Sequence, residues 1–160
     1  MTDRAVLLAL TRIEAVHLAD LVRQFAELVD GTPATPDPAI ERLTPDVYPE
    51  DPDASREFRA VTRADLLRRR AQDARVVLDG LAGIDQAGDD LAPVEVSLAA
   101  EQVEAWLRTL AAVRLVIASR LGIVDEDEDR AGPDEDPRYG VYEWLGYRLE
   151  GLVQAAERDL

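Results

Sequence analysis

The stretch AVLLALTRIEAVHLADLVRQFAELVDG, residues 5–31, decides the architecture of this chain. Its first six residues form an uncharged apolar run that is too short for a helix and is typical of a strand. Thr11 followed by Glu14 is the capping-box pattern that opens a helix, and apolar residues then recur at helical spacing up to Gly31. The stretch therefore predicts a strand that leads directly into an amphipathic helix.

A second unit of the same kind begins at residue 94. Residues 94–98 alternate apolar and polar side chains, as in a half-buried strand, and residues 100–121 carry an apolar stripe at helical spacing that ends at Gly122. A lone strand leaves its backbone groups unpaired. We therefore expect residues 6–10 and 94–98 to pair in a minimal two-stranded sheet.

The remaining segments predict further helices. Residues 32–52 contain six prolines, which favours a loop with one short helical turn near residues 39–43. Residues 54–61 favour a helix, Thr62 followed by Asp65 predicts the start of a longer helix that ends near Leu81, and Asp136 before Pro137 starts the last one. The predicted fold is mainly α: a single-domain helical bundle of about four main helices over residues 1–160, with that minimal sheet.

Composition excludes several classes of protein. The 160 residues include 33 acidic and 18 basic residues and no cysteine, which rules out disulfide scaffolds and thiol catalysts. The net charge of −15 disfavours binding to nucleic acid and to anionic membranes. No apolar run approaches the roughly 20 residues of a membrane span, and the N-terminus lacks signal-peptide features. These properties predict a cytoplasmic protein with no membrane association.

Every basic residue is arginine, whereas lysine and asparagine are absent. A GC-rich genome explains this bias, so it does not by itself indicate phosphate chemistry.

No catalytic pattern stands out. His17 is the only histidine, lies at the border of the first predicted helix, and has no serine or cysteine in its local pattern. Glycine-rich phosphate loops are missing. A metal- or carboxylate-dependent enzyme would need carboxylates that converge in a pocket, and no spacing indicates such a set. We therefore predict a protein that is not an enzyme and uses no cofactor and no metal.

A strongly acidic loop lies at about residues 123–136, with eight acidic residues against Arg130. It does not fit a calcium-binding loop, because position six counted from Asp125 is Arg130 where the turn requires glycine. Like charges resist compaction, so we predict a mobile loop that the fold does not require.

The most informative charged segment is residues 55–75, where seven arginines against three acidic residues give a net charge of +4. On a helical projection Arg68, Arg69 and Arg75 point outward and are candidate partner-binding residues.

Arg70 and Arg114 instead fall on apolar stripes. A buried guanidinium must be paired with a carboxylate or with helix-end carbonyls, so we predict buried ion pairing for both, with Glu143 among the candidate partners. The alternative is that both side chains extend to the surface.

A series of segments, taken in order, resembles a known family: residues 45–49 (PDVYP), 57–59 (EFR), 74–78 (ARVVL), 105–107 (AWL), 114–115 (RL), 120–122 (RLG) and 142–145 (YEWL). It is the uncharacterised actinobacterial family called domain of unknown function two-zero-one-seven. The resemblance implies a small, mainly helical, cytoplasmic protein without established enzymatic activity. Some members are described as stress-responsive transcriptional regulators with a cysteine redox switch, which this cysteine-free chain cannot have. Family genes also tend to lie beside the adaptor of the Clp protease.

We predict a non-enzymatic regulatory protein that acts through protein-protein contacts, in stress response or transcription regulation. The partner would be an unknown protein of the transcription or proteolysis machinery, and a homodimer is compatible with the sequence. One alternative is a transcriptional regulator that contacts DNA through the surface from Arg68 to Arg75. Another is an adaptor linked to Clp proteolysis.

Overall fold

A computed structural model describes residues 5–31, 37–44, 52–84, 87–123 and 136–159. Two strands and five helices follow one another in the order β1 (Ala5–Thr11), α1 (Arg12–Asp30), α2 (Pro38–Leu43), α3 (Pro52–Leu81), β2 (Pro93–Ala99), α4 (Ala100–Leu121) and α5 (Pro137–Asp159). Four of the helices are long and α2 is a short one, so the prediction of a mainly α fold with a two-stranded sheet is confirmed. The predicted acidic loop, apart from its ends, lies outside the described residues.

The two strands pair antiparallel, with Ala5 opposite Ala99 and Thr11 opposite Pro93. The Arg12 N–H donates to the Ala92 carbonyl at 2.9 Å, which extends the ladder to the start of α1. Alternate side chains of both strands, Val6, Leu10, Val96 and Leu98, are buried against the helices. The other face of this small sheet is open, and Leu7 is 63% exposed there.

The predicted capping box at the start of α1 is present. Thr11 Oγ1 accepts a hydrogen bond from the Glu14 N–H at 3.2 Å, and Glu14 Oε1 accepts one from the Thr11 N–H at 3.0 Å. Two N–H groups that a helix start leaves unpaired are thereby satisfied. The same box fixes the direction in which the Glu14 side chain leaves α1.

Helix α3 is continuous, which corrects the prediction that Thr62 starts a separate helix. Thr62 lies in the interior of a helix of 30 residues. A threonine followed three residues later by an aspartate permits a helix start but does not require one, and proline and glycine are the strongest signals of a break. None occurs between Pro52 and Gly80.

The main apolar core takes residues from all seven elements, and Leu18, Val77, Trp106, Leu110 and Leu145 are among its fully buried members. Helix α1 packs mainly on α3, and α5 packs mainly on α4. Between α3 and α4, the Trp106 ring lies 3.2 Å from the position that a Cβ on Gly80 would occupy. Glycine at this position therefore allows the close approach of the two helices. Among the described helices, none is long and apolar enough to cross a membrane.

Candidate functional site

A groove, which we call the α1–α5 groove, runs along α1 on the side away from α3. It consists of two adjoining cavities of about 390 and 340 Å³ that share Leu21 and Val141. Helix α1 forms one wall, α5 forms the other, and α4 contributes to the floor of the second cavity. Its lining includes Glu14, His17, Leu21, Phe25, Ile117, Arg120, Arg138, Gly140, Val141 and Trp144.

The groove exists because α1 has a wider apolar stripe than α3 covers. Leu18 and Val22 are buried in the core, whereas Leu21 is only half-buried and lies in the groove wall. On the opposite wall Gly140 has no side chain, and a Cβ at that position would have no atom within 4 Å. The space between α1 and α5 is therefore left open by the residues that face it.

One end of the groove is closed by the Glu14 cluster, which consists of Glu14, Trp144 and Arg148. Glu14 Oε2 accepts hydrogen bonds from Trp144 Nε1 at 2.6 Å, from Arg148 Nη2 at 2.5 Å and from Arg148 Nε at 3.1 Å. Arg148 Nη1 also donates to the Ala9 carbonyl at 3.3 Å. The cluster joins β1, the start of α1 and the middle of α5 across the mouth of the groove.

The carboxyl group of Glu14 is held in its ionised form. Burial alone would raise its pKa, but hydrogen bonds from Arg148, the Thr11 N–H and Trp144, together with the Arg148 charge, lower it from 4.5 to about 2. Both carboxylate oxygens already accept hydrogen bonds. Such a group suits a structural anchor and does not suit a general acid or base, which needs a pKa near the working pH.

Two arginines line the other end of the groove. Arg120 donates from Nη1 and Nη2 to the two carboxylate oxygens of Asp37, each at 2.8 Å, and this contact ties α4 to the start of α2. Arg138 donates to both oxygens of Asp136. Hydrogen bonds from these arginines lower the pKa of Asp37 and of Asp136. Both ion pairs are therefore formed at neutral pH, and they leave the guanidinium groups beside the groove.

The groove offers little acid–base chemistry. Its carboxylate, Glu14, is saturated with hydrogen bonds, and the exposed His17 side chain has no hydrogen-bond partner among the described residues. In the described part of the chain no group of three or more histidine, aspartate or glutamate side chains could hold a metal ion. The lining of the groove is otherwise largely apolar.

The predicted partner-binding residues lie together on the face of α3 away from the core, which we call the arginine face. Arg68, Arg69 and Arg75 are all exposed. Arg68 contacts Asp65 at 2.9 Å, and Arg75 lies 3.8 Å from Asp30 of α1. Arg69 has no ion pair or hydrogen bond with any described residue. All three guanidinium groups are therefore accessible to another molecule.

Within the described residues, Glu143 forms no ion pair with Arg70 or with Arg114. Arg70 is only partly buried and has no ion pair within the described ranges. Arg114 is also partly buried, and its guanidinium carbon lies 3.9 Å from the centroid of the Tyr142 ring while Nε donates to the Tyr142 carbonyl at 3.3 Å. Glu143 is exposed. Successive helix residues point about 100° apart, so an inward Tyr142 places Glu143 outward.

Sequence reasoning did not find the Glu14 cluster. Trp144 and Arg148 lie 130 and 134 residues from Glu14, and the capping box already accounts for a glutamate at that position. The sequence did contain one signal, which is Arg148 four residues after Trp144 on the last helix. The indole N–H and the guanidinium at the edge of an apolar stripe require a hydrogen-bond acceptor. No sequence pattern predicted the groove, since it depends on the distance between α5 and α1.

The comparison with protein families identifies the family of this chain. A family model described as domain of unknown function (DUF2017) matches residues 1–156. No curated protein and no solved structure matches the chain.

Proposed function

Because the chain belongs to the DUF2017 family, which is described as a domain of unknown function, we propose its role from the molecule itself: a non-enzymatic regulatory protein that acts through contacts with other proteins. The arginine face carries the proposal. Arg68, Arg69 and Arg75 are exposed on one helix of a chain whose net charge is −15. Separated charge of this kind steers a partner of complementary charge toward one surface.

The expected partner is a protein with an acidic surface. Guanidinium groups bind carboxylates through planar pairs of hydrogen bonds, and Arg69 has no partner of its own among the described residues. The strong negative charge of the rest of the chain would repel the phosphate backbone of DNA. An acidic protein surface, which can be small and local, is favoured over duplex DNA for this reason.

The cellular process in which the protein acts is also proposed here. The family resemblance makes transcription regulation, stress response and Clp-linked proteolysis in the cytoplasm of an actinobacterium the first processes to examine.

The test uses two variants that remove equal charge. Arg69→Gln with Arg75→Gln changes the arginine face, and Arg23→Gln with Arg158→Gln changes exposed arginines on α1 and α5. Proteins cross-linked to the parent chain in its native cells are identified by mass spectrometry, and the affinity of the purified partner is then measured for each variant. We expect about a tenfold loss for the arginine-face variant and little change for the control.

Two results would contradict the proposal. Equal affinity of both variants for the partner would show that the arginine face is not the contact surface. Duplex DNA binding at low salt, with affinity that falls steeply as salt is added, would support the DNA-contacting alternative instead.

A further inference from the structure

We propose that the α1–α5 groove is a binding site for a linear amphiphilic carboxylate, that is, a medium- or long-chain carboxylic acid. The proposal goes beyond the protein contacts at the arginine face, because it concerns a different surface and a different class of ligand. The groove follows α1 from Glu14 to Leu28, a distance of about 21 Å at the usual helical rise. An extended alkyl chain fits a groove of this length.

The wall and floor of the groove are apolar along this path. Leu21 and Val141 belong to both cavities, so the apolar path is continuous from Trp144 at one end to Phe25 and Ile117 at the other. Each cavity lies within the range of about 300 to 1,000 Å³ that small-molecule sites occupy.

The charges at the two ends indicate the orientation of the ligand. At the Phe25 end, Arg120 and Arg138 both line the second cavity, and each is paired with a carboxylate, Asp37 and Asp136 respectively. Arg120 Nε and Arg138 Nη1 have no acceptor among the described residues, because the bonds to Asp37 and Asp136 use the other nitrogens. A ligand carboxylate placed there would accept charge-assisted hydrogen bonds from these two nitrogens.

The closed end of the groove favours a thin ligand over a helix of a partner protein. Glu14 and Trp144 are joined by a 2.6 Å hydrogen bond that spans the groove from α1 to α5. A partner helix is about 10 Å wide and could not pass this bridge. The end of an alkyl chain, in contrast, can lie against the Trp144 ring.

The experiment is a calorimetric titration of the full chain with octanoate, decanoate and dodecanoate below their micelle concentrations. Dodecanol and dodecyltrimethylammonium are the neutral and cationic controls. We expect the affinity to rise about fourfold for each added methylene group, as burial of an alkyl chain predicts. We also expect dodecanoate to bind at least tenfold more tightly than the cation. The change in tryptophan fluorescence, measured in a Trp106→Phe variant so that Trp144 is the only source, should follow the same curve.

Two glycines of α5 provide a matched pair of variants. Gly140 lines the groove and Gly151 does not, and a Cβ at either position would have no atom within 4 Å. Gly140→Phe should fill the groove and weaken dodecanoate binding at least tenfold, whereas Gly151→Phe should leave it unchanged. Arg138→Gln should weaken binding of dodecanoate but not of dodecanol. Circular dichroism establishes that each variant is folded.

Several outcomes would overturn the proposal. One is the absence of dodecanoate binding, and another is an equal effect of the Gly140 and Gly151 variants. Binding of the cation as tight as that of dodecanoate would show that the arginines do not select a carboxylate. These results would leave the proposed protein contact intact, because that contact is tested with variants of Arg69 and Arg75 on another surface.

Discussion

The two sides of α1 are built differently. On one side α1 packs against α3, and α3 in turn packs against α4, where Trp106 is fully buried and Gly80 makes room for its ring. On the other side α1 faces α5 across an open groove, and the Glu14 cluster makes the polar contact at its end. The packed side derives its stability from apolar burial, and the open side from a few polar bonds.

Because of this difference, we expect one side to determine stability and the other to determine binding. Substitutions between α3 and α4 should change the free energy of unfolding, because they remove buried surface or leave cavities. Substitutions in the apolar lining of the groove, outside the Glu14 cluster, should leave stability nearly unchanged and alter binding. This division can be tested by substitutions on each side.

Trp106→Ala should cause the largest loss of stability. The side chain is 0% exposed and packs against α3, so its removal leaves a large cavity in the packed side. We expect a loss of about 3 to 5 kcal/mol in the free energy of unfolding, measured by denaturant titration. A loss below about 1 kcal/mol would mean that the α3–α4 contact is not the stable part of the molecule.

Glu14→Gln should have the second largest effect. It removes the charge that pairs with Arg148 and weakens the hydrogen bond to Trp144. Because solvent reaches this ion pair, we expect a loss of about 2 kcal/mol rather than the larger cost of a fully buried pair. Arg23→Gln, which breaks an exposed contact with Asp20, is the control and should cost less than about 0.5 kcal/mol.

The Glu14 effect should also depend on pH. The folded pKa of about 2 is below the ordinary value of 4.5, so the ionised carboxylate stabilises the folded protein fully above about pH 4.5. That contribution is lost as the pH falls from about 4.5 toward 2. The difference in unfolding free energy between the parent and Glu14→Gln should therefore shrink over this interval, and a difference independent of pH would refute the assigned role.

Replacing two glycines of α5 with alanine should change stability by smaller amounts, and the two substitutions should differ in their effect. Gly140→Ala should raise stability by about 0.5 to 1 kcal/mol, because alanine favours a helix and its Cβ would stand in the open groove. At Gly146 a Cβ would lie 2.9 Å from Arg114 Nε, so Gly146→Ala should gain less or lose stability. Thermal melting of the two variants tests whether the groove is open at Gly140.

The smallest effect concerns a buried polar atom of α4. Thr109 is 1% exposed, and its hydroxyl has no hydrogen-bond partner among the described residues. Thr109→Val replaces this hydroxyl with a methyl group of similar size, and we expect stability to stay within about 0.5 kcal/mol of the parent or to rise. A loss above about 1 kcal/mol would indicate that the hydroxyl makes a bond that the structure does not show.

Local patterns in the sequence predicted the elements but not the contacts between distant ones. The uncharged run before Thr11 and the alternation at residues 94–98 predicted both strands and their pairing, because each pattern is contained in a few residues. The predicted helix start at Thr62 was wrong, because threonine, a common N-cap residue, also occurs inside helices. The contact between Glu14 and Trp144 could not be predicted, since it depends on how α5 lies against α1.

The unfolding free energy of Gly140→Phe, measured together with its affinity for dodecanoate, tests the division into a packed side and an open binding side most directly. A phenyl group at residue 140 would enter the groove, where a Cβ has no atom within 4 Å. We predict a free energy of unfolding within about 1 kcal/mol of the parent and an affinity at least tenfold weaker. A loss of stability above about 3 kcal/mol would show that the groove belongs to the closed core, and unchanged affinity would show that it is not the binding site.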